Sequence, residues 1–112
     1  MNPRKALLRA YKEEKPTPGV YAVRCERTGQ AFVGGTENVA TRRNGVWFSL
    51  RLGSHPNARL QGAWNAHGEA SFAFEVLETI DDEGLEPKGR ALRLADRRRH
   101  WCEALNAVDL VR

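Results

Sequence analysis

Gly19-Val20-Tyr21-Ala22-Val23-Arg24-Cys25, a polar turn at Thr28-Gly29, then Gln30-Ala31-Phe32-Val33-Gly34: this run decides the fold. Both arms are rich in β-branched and aromatic residues and the joint between them is polar, the pattern of two strands in a hairpin. On the N-terminal side, Pro16-Thr17-Pro18 interrupts a stretch of helix formers from Pro3 to Glu14, where Leu7, Ala10 and Tyr11 share a face. The expectation is a helix within residues 1–15 leading into a core at 18–108. On the other side, Thr36-Glu37-Asn38 offers a polar cap for a helix towards Leu52, with Asn44-Gly45 inside it as a point of kinking. Gly53-Ser54-His55-Pro56-Asn57 ends that helix, and Asn57 caps a second one running to His67-Gly68.

Ser71 to Leu77 reads as a third strand, with Phe72, Phe74 and Val76 on one face and Glu75 on the other. After the acidic loop Asp81-Asp82-Glu83-Gly84, a last helix runs from about Pro87 to Asn106. Its Ala91, Leu94, Ala95, Trp101, Cys102, Leu105 and the following Val108 recur at helical spacing and are expected to pack on the sheet. The sum is one α/β (α+β) domain over residues 1–112: a small three-stranded antiparallel sheet flanked by helices, with an extra N-terminal helix.

The chain has 112 residues, which suits one core and not two. Eighteen Lys and Arg against fourteen Asp and Glu give a formal charge of +4, which favours an acidic partner: nucleic acid first, a membrane surface second. No stretch approaches a membrane span and the start lacks the apolar core of a signal peptide, so a cytoplasmic setting is expected. Cys25 and Cys102 have no Cys or His at metal-ligand spacing and read as reduced thiols.

One charged residue stands out from helical spacing alone. Leu94, Arg98, Trp101 and Leu105 lie at i, i+4, i+7 and i+11, so Arg98 belongs to the inward stripe. An inward guanidinium needs a partner. Three readings are open: an internal ion pair, with Glu75 or Glu78 as candidate acids, a snorkelling side chain, or a side chain facing a cleft that binds an anion. Arg90, Arg93 and Arg97, with Arg99 and His100 nearby, form another face of the same helix. That face is either solvated or a track for a nucleic-acid backbone, whose binding would be salt-sensitive and largely independent of sequence.

The chain resembles the GIY-YIG nuclease superfamily, which includes homing endonucleases and the nuclease domain of the UvrC repair protein. Gly19-Val20-Tyr21 stands where the family has Gly-Ile-Tyr, and Phe32-Val33-Gly34 where it has Tyr-Ile-Gly. Arg42, Gly53-Ser54-His55-Pro56-Asn57, Leu60-Gln61, Trp64-Asn65, Gly68 and Phe72-Ala73-Phe74-Glu75-Val76-Leu77-Glu78 follow at family-like spacing. The text around Trp47 to Asn57 is similar to a divergent branch of small bacterial members.

The resemblance implies a DNA endonuclease that uses Mg2+ or Mn2+. Tyr21 matches a tyrosine that helps activate water, Arg42 an arginine that holds the phosphate, and His55 a histidine that some members carry. Three positions depart from the pattern. Phe32 replaces the second tyrosine, Val46 stands where many members have a histidine, and Arg98 falls at the glutamate that binds the metal. Asp96, roughly 200° around the helix from Arg98, is badly placed to substitute. The motif identifies no metal ligand in its stead; Glu75 and Glu78 are candidates for an active enzyme.

A guanidinium carries the net charge of a carboxylate with its divalent cation, and it binds phosphate, but it provides no Lewis acid. Three functions remain open at this point. The first is a domain that binds the DNA backbone through Arg42, Arg98, Arg90, Arg93 and Arg97 with impaired cleavage and no cofactor. The second is an active metal-dependent DNA endonuclease. The third is a protein-interaction module with a vestigial cleft.

Overall fold

A computed structural model describes residues 16–81 and 84–110. The helix expected within residues 1–15 and the acidic pair Asp82-Glu83 lie outside them. Strands β1 (Gly19–Cys25) and β2 (Ala31–Thr36) form the expected antiparallel hairpin, in which Tyr21 faces Gly34 and Val23 faces Phe32. Strand β3 (Phe72–Thr79) pairs antiparallel on the other side of β1 and runs two residues further than the sequence suggested.

The expected three-stranded sheet has a fourth member. Strand β4 (Val108–Asp109) pairs parallel with β2, giving the order β3-β1-β2-β4, and the Leu110 N–H donates to the Val33 carbonyl at 2.8 Å. Val108, expected to continue the stripe of the last helix, belongs to this strand instead. The helix stops because Asn106 turns left-handed at φ 50°, a conformation Asn adopts more readily than most residues. With the spacing Leu105 to Val108 still helical, and only two residues in the strand, periodicity had no means of seeing the switch.

Helices α1 (Val39–Arg51) and α2 (Ala58–His67) begin where the polar caps suggested. Asn38 Oδ1 accepts from the Ala40 N–H, and Asn57 Oδ1 accepts from the Leu60 N–H. Asn44-Gly45 does not split α1, because Val46, Trp47 and Leu50 pin its second half to the core. The third helix, α3 (Pro87–Leu105), opens on proline at its first turn, where a missing N–H costs nothing.

The two faces of the sheet are covered separately. Tyr21, Val23, Phe32 and Phe72 pack with Val46, Trp47, Leu50, Leu60 and Trp64 of α1 and α2. Val20, Ala22 and Val33 meet Leu94, Trp101, Cys102 and Leu105 of α3 on the opposite face. Phe74 shares the first face as expected, whereas Val76 is 43% exposed there. A register shift between β1 and β3 places Glu78 opposite Val20, and so brings its carboxylate to the α3 side.

Candidate functional site

Tyr21 is 1% exposed, and its side chain crosses the sheet over Gly34. A Cβ added at Gly34 would lie 2.5 Å from the Tyr21 phenol oxygen, so the facing position must be glycine for the ring to lie flat. The ring stacks on Phe74 at 5.2 Å between centroids and 16° between planes. These contacts fix the hydroxyl before any ligand arrives.

Arg42 stands on the first turn of α1, where the Asn38 cap sets its direction. Its Nε donates to the Tyr21 hydroxyl at 3.3 Å, and its guanidinium lies 5.6 Å from the centroid of the same ring. The next residue, Arg43, covers Trp47 and takes no part in this arrangement.

Across from Arg42, α3 closes on the end of the sheet at Gly35. A Cβ there would meet Leu94 at 3.1 Å, so glycine lets the helix approach. Arg98, one helical turn beyond Leu94, faces the same space. A cleft of about 260 Å³ opens between these elements, lined by Tyr21, Glu37, Arg42, Leu94, Arg98 and Leu110 among others.

Arg98 combines two of the readings left open by its position. It lines the cleft, and its Nε lies 2.9 Å from Asp109 Oδ1, with 16% of the Arg98 side chain and 33% of the Asp109 side chain exposed. The acid is therefore Asp109 of β4 and not Glu75 or Glu78. Glu37, at the mouth, lies 2.9 Å from the Nε of Arg90. Neither Glu37 nor Asp109 was visible as a site residue in the sequence: one sits beside a helix cap, the other in the strand that periodicity missed.

Other expected residues are elsewhere. His55 does not line the cleft; its Nδ1 accepts from the Asn57 N–H at 3.0 Å, and its own N–H donates to Gln61 Oε1, so it shapes the turn between α1 and α2. Glu75 pairs with Arg24 at the surface. Glu78 accepts from Arg97 Nε and from the Trp101 indole N–H, both at 2.9 Å. The indole bond, and then Arg97, hold the Glu78 carboxyl below the ordinary glutamate range against the opposing effect of burial.

Arg97 is thus committed to Glu78, and Arg90 to Glu37, while Arg93 is exposed beside a separate polar cleft with Asp81 and Asp96. The expected arginine track is therefore interrupted by carboxylates. Phe32 and Val46 are both core residues, 0% and 1% exposed, so neither position presents a polar group to the cleft.

No protein-family model matches the chain, and no curated protein does. Solved structures do match. The catalytic domain of the homing endonuclease I-TevI superposes with a TM-score of 0.69 at 21% identity, over 85% of this chain and 99% of that one. A mutant of the same intron endonuclease domain gives a TM-score of 0.67 at 24% identity, over 80% of this chain and 84% of that one.

The chain has the GIY-YIG nuclease fold. Its overall fold is similar to that of the I-TevI catalytic domain, in line with the resemblance carried by Gly19-Val20-Tyr21 and Phe32-Val33-Gly34. The resemblance puts one metal-binding glutamate in this fold, and Arg98 stands at that position. Among the described residues no group of three or more His, Cys, Asp or Glu side chains is placed to hold an ion. The two carboxylates near the GIY-YIG cleft, Glu37 and Asp109, each face a guanidinium at 2.9 Å. Glu75 and Glu78, the candidate ligands from sequence, are absent from its lining.

Proposed function

We propose that this chain binds the phosphate backbone of DNA in the cleft between Tyr21, Arg42 and Arg98, and that its cleavage chemistry is impaired. The supporting observation is the convergence of the two guanidiniums on one cleft of a nuclease fold, with Arg98 at the position where the resemblance puts the metal-binding glutamate. Arg42 and Arg98 supply charge-assisted hydrogen bonds to phosphate oxygens. Tyr21 orients Arg42 through its hydroxyl and its ring face. Arg98, where the resemblance puts a metal ligand, binds phosphate but supplies no Lewis acid to activate water, which is the ground for impaired cleavage.

Fluorescence anisotropy with short duplexes of unrelated sequence, paired with plasmid nicking in Mg2+ and Mn2+, tests this reading. The expected result is binding that weakens with salt, is similar for each duplex, and leaves the plasmid intact. Arg42→Ala should weaken binding roughly tenfold, the loss of one charge-assisted contact. Nicking that Tyr21→Phe abolishes would instead establish an active endonuclease. Absence of binding to any duplex would favour a protein-interaction module.

A further inference from the structure

The charges around the cleft define its ligand more narrowly than the fold does. Arg98 and Arg90 each lie 2.9 Å from a carboxylate of the same chain, Asp109 and Glu37. Arg42 meets the Tyr21 hydroxyl and has no carboxylate partner among the described residues. The charged residues that line the cleft, Arg42, Arg98 and Glu37, leave one net positive charge. The Arg98–Asp109 contact is one of charge and proximity: the buried Arg98 Nε lies 2.9 Å from Asp109 Oδ1 without an aligned hydrogen bond.

A divalent cation entering here would add to an existing positive charge and would have to take Glu37 or Asp109 away from its guanidinium. A phosphodiester, with one negative charge, brings the cleft to neutrality. A terminal phosphate, with nearly two at neutral pH, exceeds it and faces two carboxylates.

Resting on the DNA-binding reading above, we propose that the cleft holds a phosphodiester monoanion without any divalent metal, and that Glu37 and Asp109 set its preference for one negative charge over two. Arg98 fills the place of the cation. Glu37 and Asp109 act through Arg90 and Arg98 and through their own field, as positioning and specificity-determining residues and not as metal ligands.

The full chain is titrated against a fluorescein-labelled DNA duplex at matched ionic strength, once in EDTA and once in Mn2+, and the bound duplex is then competed with dimethyl phosphate or inorganic phosphate. The expected dissociation constant in EDTA is within about twofold of that in Mn2+, or tighter, because free cations compete with the protein for DNA phosphates. Binding that tightens on the order of tenfold in Mn2+ would sink the metal-free site while leaving DNA binding in place. No binding in either buffer would sink the DNA reading itself, and the inference with it.

Against the unaltered chain, dimethyl phosphate competes at least as well as inorganic phosphate. In Asp109→Asn the inorganic ion gains roughly fivefold relative to dimethyl phosphate, since one opposing charge is gone. Glu37→Gln, at a side chain 62% exposed where folding is not at risk, shifts the ratio in the same direction. An unchanged ratio in both variants overturns the role given to these two acids.

Discussion

Against one face of the sheet, Trp47, Leu50, Leu60 and Trp64 close a core in which every member is less than a tenth exposed. Against the other, the 19-residue helix α3 contributes no fully buried residue at all. What α3 has instead is ion pairs to two strands and one connecting segment: Arg97 to Glu78 of β3, Arg98 to Asp109 of β4, and Arg90 to Glu37 ahead of α1. The first face is held by the removal of apolar surface from water, the second by a thinner apolar contact supplemented with charge. Such a helix can present guanidiniums to a cleft because its arginines are already steadied by partners, and side chains so positioned lose less entropy on gripping an anion.

The largest test of this contrast compares truncations on the two faces. Trp64→Ala, at a residue 7% exposed, should cost about 3–5 kcal/mol in urea unfolding, whereas Leu105→Ala on the half-buried α3 face should cost about 1–2. Equal losses would mean that α3 is held by packing after all. The boundary between the faces gives a smaller effect: Gly34→Ala places a methyl group against the Tyr21 hydroxyl and should cost about 1–3 kcal/mol. The same change should weaken DNA binding by displacing Arg42, and retained affinity would show that the flat ring is not what orients that guanidinium.

Smallest is the charge term itself. Glu78→Ala removes the acceptor of two donors and should cost roughly 1–2 kcal/mol at neutral pH. Because the folded state holds the Glu78 carboxyl below its unfolded value, this contribution is complete above the unfolded value and disappears as pH falls through the folded one. Urea midpoints of the unaltered chain and of Glu78→Ala should therefore converge in acid, below the ordinary glutamate range. A gap that persists there would point to lost packing around Trp101 and not to lost charge.

Much of the architecture was legible because it is written in neighbouring residues. The hairpin follows from two β-rich arms about a glycine turn, and α1 and α2 follow from Asn38 and Asn57, whose side chains cap within three residues of their own positions. The inward direction of Arg98 followed from spacing on α3 alone. The site was less legible. His55 stands at the right point in the motif, yet it serves a turn; Glu37 has no pattern of its own; and Glu78 reaches α3 only through a register shift that alternation in β3 does not announce.

The sequence by itself determined the hairpin, the third strand and the three helices of the core, and the presence of an inward cation on the last helix, because each depends on local conformational preference or a fixed period. The tertiary structure decided which acid answers each arginine and added β4, which carries Asp109. Electrostatic partners are set by distance in space between residues far apart in the chain, and their energies fall off over a few ångströms, so no local pattern encodes them.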